Sequence, residues 1–257
     1  MKLDPVLLEI VQTQMQAITE EMAITLSRTA RSTYVKDAAD FATGLANMQG
    51  KFFAYPANMG VSGFLDLDCG VAIRAVPDLK PGDVIITNHP YLSGGLSTHM
   101  PDLQLIKPYF HDGEIVCYGW DFIHSADIGG GVPSSISPRF TELFQEGLQI
   151  PPMKLVRAGA LNMDFVGIYS ANCRVPELNL GDIRAMLAAL EVGERRVADL
   201  IARHGVDTFL QAQIDTVAYA SAKARAVQRQ IPDGTYHFWD YMDDDYASRV
   251  PILSLIH

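Results

Sequence analysis

"DLQLIKPYFHDGEIVCYGWDFIH", residues 102–124, is the stretch whose reading decides the fold. Two apolar runs, Leu103–Tyr109 and Glu114–Ile123, flank His111-Asp112-Gly113. Asp-Gly in a short polar connection is hairpin-turn chemistry, because glycine reaches the left-handed backbone such turns need. The segment therefore reads as strand, turn and return strand. Such a pair brings the start of the first strand beside the end of the second. Asp102, just before the first strand, and His124, just after the second, are expected to be neighbours. His99 stands three residues before Asp102, after the two glycines of Tyr91-Leu92-Ser93-Gly94-Gly95.

Two imidazoles and a carboxylate brought together suit Zn, Mn or Fe(II), with positions left for water or substrate. The bland alternative is that His99 and Asp102 close a turn while His124 is a satisfied core histidine. Glycines surround both histidines (Gly94, Gly95, Gly129, Gly130 and Gly131) and let backbone approach a ligand closely. That favours the site.

Outward from the hairpin, the elements alternate in kind. Asp4-Pro5 pairs a capping carboxylate with proline at the first helical position. Leu7, Ile10, Val11, Met15, Ile18, Met22 and Leu26 follow at helical spacing, which predicts a helix to about Thr29. Further strands are expected over Phe41–Met48, Lys51–Tyr55 and Val84–Thr87, with a short helix over Val71–Val76. Residues 129–178 carry Pro133, Pro138, Pro151, Pro152 and Pro176 and read as loop-rich, which in a domain marks a functional segment or a contact. "LGDIRAMLAALEVGERRVADLIARHG" then reads as a long amphipathic helix broken near Gly193. A second helix is expected over Val206–Arg229, and "PDGTYHFWDYMDDD" as a turn and an alternating strand. The class is α+β: a mixed or antiparallel sheet flanked by an N-terminal helix and long C-terminal helices, around a loop-rich metal site. One region spans residues 1–257, with a weak sub-boundary near 178 between a sheet and loop part (1–178) and a helical part (179–230).

Composition narrows the classes. A hydrophobic share of 48% with 19% charged residues is globular, not disordered. A formal charge of −10, with no Lys/Arg run, argues against nucleic acid as a partner. The sequence has no uninterrupted apolar stretch long enough to span a membrane. The start, Met1-Lys2-Leu3-Asp4-Pro5, has no apolar region of the kind a secretory leader carries. Cys69, Cys117 and Cys173 are scattered singly without a C-x-x-C pair, so each is expected to be a small buried apolar residue in a reduced, cytoplasmic chain.

Other residues could join the chemistry. Asp40, after Asp37-Ala38-Ala39 and before a strand, could supply a fourth ligand or simply end the strand. Asp127 in "SADIGGG" could lie behind the ligands or bond the amides of the glycines after it. Glu142 and Glu146 would share a helix face, as an acid/base pair or as a solvated face, with Gln145 between them. Lys154 and Arg157 could pair an anion or sit on the surface. No G-x-x-x-x-G-K-[ST] or G-x-G-x-x-G is present, so nucleotide chemistry is expected to need another chain.

With these residues in place, the chain resembles the hydantoinase B / oxoprolinase family. The matching stretches are "LDPVLLEIVQTQMQAITEEM", "KDAADFATGL", "LKPGDVIITNHPYLSGGLSTHMPDLQLIKPYF", "HSADIGGGVP", "TELFQEGLQIPPMKLVRAG" and "NLGDIRAMLAALEVGERR", in family order over about residues 4–245. The resemblance implies a metal-bearing subunit of an ATP-dependent enzyme that opens cyclic amides such as hydantoins, 5-oxoproline and lactams. It implies a hydantoinase A-like ATPase partner, with an actin-like fold, that uses ATP and Mg, in a heterotetramer or larger assembly. Related complexes carboxylate ketones such as acetone or acetophenone, which is the alternative reading. A non-catalytic assembly subunit is a third, disfavoured because structural zinc sites usually use cysteine and none lies nearby.

Carried over by the resemblance, the metal ligands are His99, Asp102 and His124, with Asp40 able to join them. Glu146 is the candidate general base, and Asp127, Gln145 and His89 are candidates behind the ligands or against substrate. The chain departs from the family at Asn88-His89-Pro90-Tyr91, where Asn-Asp-Pro-Tyr is frequent, and at His124-Ser125, where a double histidine is frequent. "YPANMGVSGF" also lacks a histidine that many members carry. Family members are about twice as long, so a fragment or one half of a split subunit is expected.

Overall fold

The structure is a computed structural model that describes residues 2–58, 67–242 and 252–256. Most of "YPANMGVSGF" and the Asp243-Asp244-Asp245 run lie outside those residues. In chain order the helices and strands are α1 (Pro5–Thr29), α2 (Thr33–Lys36), β1 (Phe41–Ala46), β2 (Phe52–Ala54), α3 (Gly70–Arg74), β3 (Val84–Thr87), β4 (Asp102–His111), β5 (Glu114–His124), β6 (Met153–Arg157), β7 (Ala160–Leu161), α4 (Met163–Asn172), α5 (Pro176–His204), α6 (Val206–Gln228), β8 (Phe238–Met242) and β9 (Ile252–Ile256). The expected α+β class holds.

Seven strands form one antiparallel sheet in the order β2-β1-β5-β4-β3-β6-β7. The hairpin of β4 and β5 lies at its middle, with Asp102 paired to His124 and Leu105 to Asp121. Asp112 and Gly113 take positive φ (50° and 86°), as the tight connection requires. Both strands are buried almost throughout because both faces of the sheet are covered. Leu103, Leu105, Tyr109, Cys117 and Ile123 belong to the core that α1 and α5 complete. Ile106, Tyr118, Trp120 and Phe122 pack in a second cluster with Ala72 of α3.

Asp4 caps α1 by accepting from the Val6 and Leu7 amides. The buried stripe is Leu8, Val11, Met15, Ile18, Met22 and Leu26, slightly rotated from expectation: Ile10 faces solvent and Leu8 takes the core position. On α5, Lys107 of β4 is buried against Glu191 and Glu194, and the Tyr109 hydroxyl donates to the Leu190 carbonyl at 2.8 Å. A buried lysine persists only when paired, so this triad also fixes where α5 sits on the sheet.

Three expectations need correcting. Helix α5 is continuous through Gly193, because an added Cβ there would meet Tyr109 Oη and Met22 Sδ. The 129–178 stretch is more regular than its prolines suggest: it holds β6, β7 and α4. Glu142 and Glu146 are not on one α-helix. They bracket a single 3₁₀ turn, Leu143–Gln145, capped by the Glu142 and Gln145 side chains. A shared helical face therefore does not exist there.

By contact density the chain forms two compact units, Met1–Val217 and Ala218–His257. The first holds the sheet and its covering helices. In the second, β8 and β9 pair antiparallel, Phe238 opposite Ile256. Among the described residues no helix is long and apolar enough to cross a membrane.

Candidate metal centre

The site sits where the β4–β5 hairpin opens. Asp102 and His124 face one another by register. His99 enters from the turn before β4, whose Asp102 amide donates to the His99 carbonyl at 3.3 Å. His99 Nε2 lies 2.9 Å from Asp102 Oδ1, and His124 Nδ1 lies 3.4 Å from the same oxygen. The donor atoms of His99, Asp102 and His124 all fall within 4.8 Å of one another. Thr98 Oγ1 donates to the other carboxylate oxygen at 3.0 Å. The two imidazole rings are 5.0 Å apart.

Asp40 stands at the edge of this cluster. Its Oδ2 is 3.8 Å from His124 Nδ1, and its carbonyl accepts from the His124 amide at 3.0 Å. The residue before it, Ala39, has φ 55°, so the chain turns sharply into β1.

Asp102 and His124 are buried and His99 is half-buried. Burial alone would raise the proton affinity of Asp102. Hydrogen bonds from His124 and His99 outweigh it and hold the carboxyl below its usual range. The same contact raises the pKa of His99, against the effect of its burial and with help from the charges of Asp102, Glu146 and Asp40.

The donor set fits a divalent ion. Two imidazoles and a carboxylate match the preferences of Zn, Mn and Fe(II). His124 Nε2 is buried without a hydrogen-bond partner, so the fold leaves half of this imidazole unsatisfied. Metal-binding histidines need one nitrogen for the ion and one for an orienting partner.

The remaining candidates lie around the cluster in different ways. Glu146 Oε2 accepts from the Met100 amide at 2.9 Å, inside the turn between His99 and Asp102. Sequence spacing could not show this contact, since 46 residues separate the two. Gln145 is occupied in its own turn, with Oε1 accepting from Thr141 and Glu142 and its carbonyl from Gly131. Asp127 is saturated: it accepts from the Gly129, Ser134 and Arg174 amides and from the Arg174 guanidinium. Those bonds and burial set its pKa, burial acting upward and the donors bringing it below normal. His89 Nδ1 accepts from Leu92 at 3.2 Å and is outside the compact cluster. Lys154 pairs with the buried Asp83 at 2.7 Å, which leaves it no role as an isolated anion site.

Two residues escaped sequence reading. Asn88 donates to the Met100 and Leu148 carbonyls and accepts from Ile150, tying the His99 turn to the segment after Glu146. The Tyr34 ring lies 4.7 Å from the His124 ring, tilted by 46°. Neither has a local signature: Asn88 follows a strand as a turn asparagine would, and Tyr34 lies on a four-residue helix.

Fold and cluster together define an α+β protein with two histidines and one aspartate gathered at the mouth of a central hairpin. The chain belongs to the Hydantoinase B/oxoprolinase family, whose model matches residues 4–255. It is 31% identical over 253 residues to the caprolactamase subunit beta of Pseudomonas jessenii, covering 94% of this chain and 41% of that relative. The chain thus spans about two-fifths of that relative's length. Against the crystal structure of the ATP-dependent caprolactamase from Pseudomonas jessenii the TM-score is 0.79, at 28% identity, over 94% of this chain and 42% of that one. A nucleotide-free acetone carboxylase structure gives 0.81 at 17% identity, over 98% and 35%, a likeness of fold.

Proposed function

We propose that the chain is the metal-bearing part of an ATP-dependent hydrolase that opens a cyclic amide: a lactam, hydantoin or oxoproline. The observation that carries this reading is the convergence of His99, Asp102 and His124 donor atoms within 4.8 Å. The similarity to a caprolactamase subunit supports the substrate class, because a lactam is a cyclic amide. The ion would be Zn or Mn, held by His99, Asp102 and His124, with Asp40 at the edge of the cluster and able to join them. When bound, such an ion polarises a carbonyl or activates water.

The chain's own groups have definite parts in this reading. Asp102 places Oδ1 between the two imidazoles, 2.9 Å from His99 Nε2 and 3.4 Å from His124 Nδ1, so the three donors share one point of the fold. Glu146, whose Oε2 holds the Met100 amide, takes the proton of the attacking water on its carboxylate. The ATP step belongs to a hydantoinase A-like partner, which activates the amide oxygen by phosphorylation with ATP and Mg, in a heterotetramer or larger complex in the cytoplasm. The three free, buried cysteines suit a reducing compartment. Carboxylation of a ketone is the second reading. Its support is the acetone carboxylase likeness, which at 17% identity reaches the fold alone. Bicarbonate dependence of turnover in the full complex separates the two.

Elemental analysis tests the site directly. The wild-type chain is expected to carry about one divalent ion, and His99→Ala and His124→Ala to lose it, since each removes a ligand from a three-residue set. Full occupancy in both variants would place the ion elsewhere and remove the proposed centre.

A further inference from the structure

Helix α2 is four residues long, too short to be stable by itself. It nevertheless delivers two contacts to the candidate metal centre. The Tyr34 ring lies against the His124 imidazole, centroids 4.7 Å apart at 46°. The His99 ring lies 5.0 Å from the same imidazole, tilted by 48°. The Tyr34 carbonyl accepts from the Asp40 amide at 2.9 Å, and the Asp40 carbonyl accepts in turn from the His124 amide at 3.0 Å. One tyrosine thus touches the buried histidine through its ring and the neighbouring aspartate through its backbone.

What fixes α2 comes from the other end of the sequence. Asp182, wholly buried near the start of α5, accepts from the Arg31 and Ser32 amides through Oδ1, the latter at 3.1 Å. Ser32 caps α2 by accepting from Val35, whose side chain is buried. Gly181, next to Asp182, has the Arg31 side chain where a Cβ would stand, so the bare glycine lets that side chain lie against α5. One helical turn earlier, Asn179 donates to the Asp127 carbonyl and holds the glycine loop that follows His124. The first turns of α5 therefore grip the chain on both sides of the cluster.

We propose that Tyr34 is a positioning residue of the metal centre, fixing the His124 imidazole by ring contact and Asp40 by its carbonyl, and that Asp182 holds Tyr34 in place. The inference rests on the cation reading above and concerns the orientation of the donors, not their identity. A buried imidazole with one nitrogen free of protein partners can rotate about its side-chain bonds. The Tyr34 ring, 4.7 Å away, limits that freedom, so the donor is preset before the ion arrives.

Zinc affinity measured by chelator competition on the purified chain is the test, with a melt of the metal-free protein as the control for folding. Tyr34→Leu is expected to weaken zinc binding about 10- to 100-fold, the effect of losing a group that orients a ligand, while the metal-free melt stays near wild type. Tyr34→Phe, which keeps the ring, should bind within about two-fold of wild type, because the contact is made by the ring and not by the hydroxyl. Asp182→Asn leaves Tyr34 intact, weakens its anchor and should lower affinity in the same direction. Wild-type affinity in both Tyr34→Leu and Asp182→Asn overturns the proposal. So does a Tyr34→Phe variant as weak as Tyr34→Leu. A wild-type chain that binds no zinc or manganese overturns the cation reading and this inference with it, an outcome distinct from equal binding by all variants.

Discussion

Two carboxylates show how residues of one type take different parts. Glu146 is half-buried, beside His99, with one oxygen on the Met100 amide. Replacing it by glutamine leaves an oxygen to accept that bond and removes the charge. Glu146→Gln in the full complex is expected to lower turnover on the order of 10²–10⁴, the size of a general base, with metal content unchanged. Normal turnover at normal stability would strip Glu146 of the role. Asp121 is wholly buried in the centre of the sheet, opposite Thr43 and Leu105, and neither carboxylate oxygen has a partner. Burial pushes its pKa well above the usual carboxylate range. The folded state then holds a proton that the unfolded chain releases near pH 4, so the contribution of Asp121 to stability is greatest below that pH and falls as pH rises toward the folded pKa. Asp121→Asn removes the titration. Its melting midpoint is expected to exceed that of wild type at pH 8, with the gap closing toward pH 4. A gap that does not narrow on acidification would show that Asp121 is not the titrating group.

Among the elements, the hairpin of β4 and β5 was legible because its signals are local. Apolar runs and an Asp-Gly turn fix the register, and the register alone puts Asp102 beside His124. Helix α1 was legible from its cap and spacing, though not which of Leu7, Leu8 and Ile10 faces inward, since that depends on what packs against them. β6 and β7 were illegible: strands of five and two residues after Pro151-Pro152 have too little pattern. Tyr34 was illegible because its partner is 90 positions away. Gly193 was misread because a glycine inside a helical pattern costs about 1 kcal/mol and so suggests a break. The reason for it is tertiary, the Tyr109 hydroxyl and Met22 sulfur lying over the bare Cα. Gly193→Ala should therefore destabilise the fold by roughly 1–3 kcal/mol of overpacking, although alanine is the better helix former. Thermal melts decide it: a raised midpoint would mean that Met22 and Tyr109 give way freely.

At the scale of the whole molecule, the question is what the chain can do without a partner. Its sheet, with α1 and α5 on one face and the Trp120 cluster on the other, fills the first unit with core and, among the described residues, leaves one cluster of donor atoms at the hairpin mouth. The sequence offers no glycine-rich phosphate loop followed by lysine, the arrangement that would cradle a nucleotide in a chain of this kind. The caprolactamase relative is itself named as a subunit, and this chain covers 41% of it. The purified chain is therefore expected to bind a divalent ion yet hydrolyse no ATP, whether or not a lactam is present. On the proposed reading, adding the proposed ATPase partner should produce ATP turnover that depends on the cyclic amide, and His124→Ala should abolish ring opening in that complex. Phosphate release by the isolated chain, proportional to its concentration and retained through a second purification, would overturn the division of labour and place a nucleotide site on this chain.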